Sequence, residues 1–290
     1  MARFSRAEVR GRLQAQVDAG RAVLLFGAGI GLTARCAELG GADLIGVYST
    51  AFHRMGGRPS LLGWLPYGDV NAELLERSRE IVPIVRGTPC IAGVGAHDPR
   101  LRLDRLLDEL VGLGFSGITN EPFAAMYGPA FAGQLEAAGI GFSKEVELIA
   151  RASTADLFTV AWAFTPEEAA RMAEAGADVI GAMVGVTAGG LTGAHGVIGL
   201  EEATAIVQGI CEAAHAVRRE VMVLTHGGPF ADPETAAYSI AHSDAVGYAA
   251  GSSGERVPTE EAIIAITRAY KEIAVPRARG TIATEAGGPG

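Results

Sequence analysis

Eight short apolar runs punctuate the chain, and each gives way to a stretch with helical spacing. The runs are Ala22–Phe26, Leu44–Val47, Cys90–Val94, Gly117–Thr119, Leu157–Ala161, Asp178–Met183, Val221–Leu224 and Ala245–Tyr248. They are near-continuous Val, Ile, Leu and Ala, as parallel strands covered on both faces are. Before the first, Val9, Leu13 and Val17 recur at four-residue spacing and predict a helix over 5–18. Leu103, Leu106, Leu107 and Leu110 mark another helix. Thr165, Pro166 and Glu168 have the N-cap, N1 and N3 spacing of a helix start, and Asp232 followed by Pro233 announces one more. Further helices are predicted over 72–79, 124–138, 143–152, 201–217 and 259–271.

Eight strands alternating with helices is the count that closes a (β/α)8 barrel. The predicted fold is therefore α/β, a single TIM barrel over 1–278 with an N-terminal helix and a long loop after strand two. An open doubly wound sheet is the competing arrangement. The small, glycine-rich tail over 279–290 is expected to be disordered.

That long loop breaks the rhythm. Some twenty polar and glycine-rich residues follow strand two, among them Tyr48, Ser49, His53, Arg54, Arg58, Tyr67, Asp69 and Asn71. Loops of this length are usually functional or disordered. Leu61, Leu62, Trp64 and Leu65 argue for packing, so the loop is expected over the carboxyl end of the sheet.

Composition narrows the class. The 290 residues are 49% hydrophobic and 20% charged, an ordinary globular balance. A net charge of −9, with no basic patch interleaved with aromatics, argues against nucleic acid. No apolar run approaches the roughly 18 residues of a membrane span, and the charged amino-terminal stretch lacks a signal-peptide core. A cytoplasmic location is expected. Cys36, Cys90 and Cys211 are scattered and read as reduced, buried thiols.

Chemistry in such a barrel belongs after the carboxyl ends of the strands. Gly27-Ala28-Gly29-Ile30-Gly31 is too short a glycine pattern for a dinucleotide fingerprint, because the next strand ends in Tyr48-Ser49 rather than an acid. No nucleotide cofactor is expected. Gly27 and Gly29 read instead as a tight turn facing a small ligand. Ser252, Ser253 and Arg256 lie just before a helix, a common place to hold a carboxylate or phosphate. Asn120, Thr187, Ser49, Arg54 and Arg58 complete the candidate substrate-binding set. Glu121 is read as a general base, a metal ligand or a salt-bridge partner of Arg54 or Arg58. His226 is read as a proton donor or a group that polarises an oxygen. His195 is a further histidine that could reach the mouth. No HxH, HExxH or CxxC spacing occurs, so any metal would be a hard cation such as Mg2+, held by few carboxylates plus substrate and water.

Several long segments resemble one family. They are GAGIGLTARCAELGGADLIGVYSTAFHRMGGRPSLLGWLPYGDVN, AGVGAHDP, GFSKEVELIARA, AGADVIGAMVGVTAGG and GSSGERVPTE. Together they are similar to the phosphoenolpyruvate hydrolase-like TIM-barrel family, also described as TIM-barrel signal-transduction proteins, over about Phe4 to Val275. That family is similar in fold to the phosphoenolpyruvate mutase and isocitrate lyase superfamily. The resemblance implies a barrel, a homo-oligomer, and a small anionic 2-oxo or enol carboxylate whose C–C or P–O bond is cleaved with Mg2+. Two positions depart from the family pattern: Asn120-Glu121-Pro122 stands in place of Asn-Phe-Pro, and Met183 in place of a histidine. The leading expectation is a hydrolase or lyase with Glu121, His226 and Tyr48 as catalytic groups. The alternatives are a binding or regulatory barrel without turnover, and a biosynthetic enzyme with a roomier, greasier mouth built from Met126, Tyr127 and Met183.

Overall fold

The computed structural model describes residues 3–275. Its eight strands close into one parallel barrel in sequence order. They are β1 (Val23–Gly27), β2 (Leu44–Val47), β3 (Cys90–Val94), β4 (Gly117–Asn120), β5 (Phe158–Ala163), β6 (Val179–Met183), β7 (Met222–His226) and β8 (Gly247–Ala250). The ring is sealed where Leu24 of β1 pairs with Tyr248 of β8. The tail over 279–290 lies outside the described residues.

The helices are α1 (Arg6–Asp18), α2 (Gly31–Leu39), α3 (Ser49–Met55), α4 (Val70–Ile81), α5 (Leu103–Leu113), α6 (Gly128–Ala137), α7 (Phe142–Thr154), α8 (Pro166–Glu174), α9 (Leu200–Val217), α10 (Pro233–Ala241) and α11 (Arg256–Lys271). The first, α1, starts at a capping box between Ser5 and Glu8. Its Val9 and Leu13, with Phe4, join the cluster formed by Val23, Leu44, Ile91 and Phe158 at the amino ends of the strands. Arg6 locks the helix there, bonding Asp178 at 2.8 Å and the carbonyls of Ser153 and Gly176. One end of the barrel is thus plugged. Chemistry is left to the other.

Glycine decides what fills that other end. A Cβ on Gly93 would lie 2.3 Å from Cβ of Tyr48, and one on Gly46 would lie 2.5 Å from its ring. A Cβ on Gly181 would lie 2.3 Å from the Trp162 ring. Side chains on alternate strand residues face inward. These bare positions therefore make room for two aromatic rings that would otherwise not fit inside an eight-stranded cylinder.

The stretch after β2 differs from expectation. It is largely helical: α3 (Ser49–Met55), then a 3-10 turn over Ser60–Trp64, then α4 (Val70–Ile81), capped by Asp69. Seven residues are too few to show a period, and a helix this short is held by burial rather than propensity. The segment Ser49 to Arg54 is buried throughout. Strands β5 and β7 each run two residues past their predicted ends, so His226 is the last residue of a strand. Cys36 is exposed rather than buried, and all three thiols are free. The last helix, α11 (Arg256–Lys271), buries only Arg256 and leaves Ile263, Ile266 and Tyr270 exposed. No helix among the described residues is long and apolar enough to cross a membrane.

Candidate active site at the barrel mouth

Tyr48, Thr50, Arg54, Glu121, Trp162, Met183, Thr187, His226 and Ser252 line one recess at the carboxyl end of the barrel, of about 450 Å³ counting its solvent-open space. Residues up to 204 positions apart in the chain are brought together here by strand ends and by α3.

Arg54 is the fixed charge. The residue is buried, and its Nε donates to Glu255 at 2.6 Å while Nη2 donates to the Gly27 carbonyl at 2.6 Å. Glu255 is held in turn by the Gly29 amide at 2.6 Å and the Thr33 hydroxyl at 2.5 Å. Two of the three guanidinium nitrogens are therefore committed to the scaffold. The third, Nη1, has no hydrogen-bond partner among the described residues and borders the recess. A Cβ on Gly251 would lie 3.7 Å from it.

Glu121 is the titrating group. It is buried and accepts a hydrogen bond from the Thr50 hydroxyl. Burial pushes its carboxyl up to about 7, against the pull of Thr50 and Arg54. A carboxyl there changes charge near neutral pH, as a general acid or base should. A second carboxyl, Glu145 on α7 (Phe142–Thr154), is also buried and pushed up to about 8. It accepts from Asn120 Nδ2 at 2.5 Å and from the Ala124 amide at 2.7 Å, so it braces both flanks of Glu121.

His226 corrects its sequence reading. Its Nδ1 lies 2.6 Å from the Ala249 carbonyl. A carbonyl only accepts, so Nδ1 carries the proton and Nε2 is left with a lone pair. Burial lowers its pKa to about 4, and the Ala249 bond opposes this only in part. At neutral pH the ring is uncharged, and Nε2 accepts a proton or a hydrogen bond rather than donating one. Tyr48 is likewise held protonated, its pKa raised by burial.

Other candidates lie elsewhere. Arg58 is exposed, with its guanidinium 6.0 Å from the Tyr67 ring centroid. Arg256 is buried and turned to Glu260 and the Gly189 carbonyl. Ser253 bonds the Tyr248 hydroxyl at 2.7 Å. Asn120 bridges Glu145 and the Trp162 amide. Ser49 is buried with an unpartnered hydroxyl. Gly27 and Gly29 face Arg54 and Glu255, so that turn holds a protein carboxylate instead of a ligand. His195 is exposed. Glu121 is bonded to Thr50, and Arg54 to Glu255, so of the three readings of Glu121 the salt bridge to Arg54 is not formed.

Sequence reasoning missed Thr50 and Trp162. Trp162 shares inward parity with Phe158 and Val160, and that parity would have found it had the strand been read to its true end. Its indole N–H is buried without a partner. Thr50 shows no sequence signal, because only the turn into α3 aims it at Glu121.

The donor set does not fit a divalent cation. Among the described residues no three His, Cys, Asp or Glu side chains come together as a metal cage. Glu121 is the one carboxylate lining the recess, and a buried guanidinium stands in the same recess. Mg2+ asks for near-octahedral oxygen ligands and gains nothing from a fixed cation beside it.

The phosphoenolpyruvate hydrolase-like family model matches residues 8–273. The chain belongs to that family. Among relatives, the ToMV susceptible protein tm-1(GCR26) of Solanum lycopersicum is 42% identical over 265 residues, covering 91% of this chain and 35% of that protein. The ToMV resistance protein Tm-1(GCR237) matches equally. This chain thus spans about a third of the length of the tomato relatives it matches. Among solved structures, phosphonopyruvate hydrolase in complex with oxalate and Mg2+ superposes with a TM-score of 0.60 at 18% identity, covering 94% of this chain and 92% of that one. Oxaloacetate acetylhydrolase superposes at 0.59 and 15% identity, covering 94% and 88%. At such identities the likeness is one of fold, a TIM barrel.

Proposed function

We propose that this protein cleaves a small 2-oxo or enol carboxylate in the barrel mouth, with Arg54 holding the carboxylate and Glu121 moving the proton. One observation carries the reading: a buried carboxyl that titrates near 7 shares a recess with the one guanidinium nitrogen that the scaffold leaves uncommitted. The recess suits a molecule of a few heavy atoms. Superfamily structures crystallised with oxalate or with 3,3-difluorooxalacetate support the substrate class. The recess offers one guanidinium, already ion-paired with Glu255, and Arg58 and Arg256 lie outside it. So little positive charge favours C–C cleavage over transfer of a doubly charged phosphoryl group.

The residues divide the work. Arg54 Nη1 fixes the carboxylate and stabilises negative charge as it develops on the adjoining oxo oxygen. Glu121 takes or returns the proton at the bond that breaks. His226 Nε2 accepts a hydrogen bond from a hydroxyl or water. The Tyr48 and Trp162 rings exclude bulk water from below. Where a larger apolar substrate would need space, Met183 and the two rings close the mouth instead. The larger recess, about 1250 Å³ counted the same way, lies beside it and is lined by Leu65, Tyr127, Phe131 and Ile140.

The exposed stripe of Ile263, Ile266 and Tyr270 on α11 supports a homo-oligomer, since i, i+3 and i+7 positions form one helix face. The test of the activity is a panel of 2-oxo and enol acids, followed by product detection. Glu121→Gln is expected to lower kcat by about 10²-fold or more, the range of general acid–base contributions, with little change in KM. Binding without product, or unchanged turnover in Glu121→Gln, would overturn the reading.

A further inference from the structure

The geometry points to Arg54 as a built-in replacement for the divalent cation, so that organic-acid binding at this mouth is metal-independent. The inference rests on the organic-acid reading of the recess. It is carried by how the guanidinium is mounted. A catalytic cation must be fixed in place, keep its charge and leave open coordination toward the ligand. Arg54 meets all three conditions. Its position is fixed by bonds from Nε to Glu255 and from Nη2 to Gly27, and Glu255 is anchored by Gly29 and Thr33. Its charge is permanent, since guanidinium does not deprotonate in proteins. Its Nη1 borders the recess uncommitted.

The surrounding sequence keeps that nitrogen clear. A Cβ on Gly27 would lie 2.8 Å from Nη2 and 1.8 Å from the Tyr48 hydroxyl. A Cβ on Gly251 would lie 3.7 Å from Nη1 and 3.2 Å from Cε1 of His226. The bare Gly27 leaves room for Nη2 and the Tyr48 hydroxyl behind the recess, and the bare Gly251 leaves open the space before Nη1. Two of the nearby carboxylates are already held, Glu255 by Arg54 and Glu145 by Asn120 and Ala124, which leaves Glu121 alone. A metal placed here would meet one titrating carboxyl and a positive neighbour.

The experiment titrates oxalate, the smallest 1,2-dicarboxylate, into the full chain by calorimetry, first in EDTA and then in Mg2+. The expected Kd is the same within about twofold in both buffers. Arg54→Met is expected to weaken binding by about tenfold or more, the loss of one charge-assisted contact. Should Arg54→Met fail to fold, Gly251→Val tests the same point, because it leaves the Arg54–Glu255 pair intact and fills the space before Nη1. It is expected to weaken oxalate comparably. Oxalate binding only with Mg2+, no binding in either buffer, or unchanged binding in the folded variants would each overturn the inference. The two readings fail separately. Metal-independent oxalate binding without turnover of any acid would leave this inference standing and remove the proposed activity. Turnover that requires Mg2+ would do the reverse.

Discussion

Glu255→Gln should be among the more damaging single substitutions in the molecule, although it changes one oxygen to an amide. The side chains of Arg54 and Glu255 are 3% and 0% exposed, and they meet at 2.6 Å. Solvent screening gives no relief at that burial. With an effective dielectric constant of ~20 and charge centres ~4 Å apart, the lost attraction is about 4 kcal/mol. That agrees with the roughly 3–5 kcal/mol measured when one partner of a buried pair is removed and the other charge is stranded. In a chain of this size each kcal/mol moves the thermal midpoint by about 2 °C, so the expected fall is about 6–10 °C. Thermal scans and urea midpoints on the full chain give the number. The double variant Arg54→Met with Glu255→Leu should recover part of the loss, because it strands no charge. A Glu255→Gln protein within about 1 kcal/mol of the parent, or a double variant that merely adds the two single losses, would refute the claim that this pair is a buried, unscreened contact.

Three further outcomes are expected. Gly93→Ala sets a Cβ against that of Tyr48 and should cost about 1–3 kcal/mol of overpacking, which a denaturant midpoint reads, with less cost when Tyr48→Ala is already present. Glu121 and Glu145 have folded pKa values raised by burial to about 7 and about 8, so the stability tied to their neutral forms is fully present below the unfolded value near 4.5 and is lost as pH rises through those values. Thermal midpoints should therefore fall from pH 5 to pH 8 in the parent and fall less in Glu121→Gln and Glu145→Gln. Charging the α11 stripe with Ile263→Glu and Ile266→Glu should reduce the oligomeric state seen by light scattering while leaving the circular dichroism spectrum unchanged.

The barrel was legible because its signals are local. Eight apolar runs, helix caps at Thr165 and Asp232, and the alternation of strand with helix each depend on a few neighbouring residues. Strand ends were less legible. In β7 the strand continues through Thr225 and His226 after the apolar run has stopped, and in β5 the apolar run itself continues through Trp162 and Ala163 past the predicted end. The short helix α3 left no signal at all. Its six buried residues include Ser49, Thr50, His53 and Arg54, which no hydrophobic period would place inside a protein.

The site set out from sequence divided along the same line. Residue type with strand-end position, or for Arg54 a place in the long loop after strand two, was enough to nominate Tyr48, Arg54, Glu121, Thr187, His226 and Ser252, which the fold gathers into one recess. They were not enough to say which partner each group already has. Gly27 and Gly29 looked like a cradle for a ligand anion; the Gly29 amide does hold an anion, but it is the side chain of Glu255, 226 residues beyond, and the Gly27 carbonyl accepts from Arg54. Arg256 looked like the grip beside Ser252, yet its neighbour Glu255 does the more consequential work by fixing Arg54 from behind. A carboxylate that occupies the glycine turn also removes the turn from the list of ligand sites and turns one face of a guanidinium toward the mouth. In the proposed reading, the positive charge offered to a substrate here depends on a negative charge the substrate never meets.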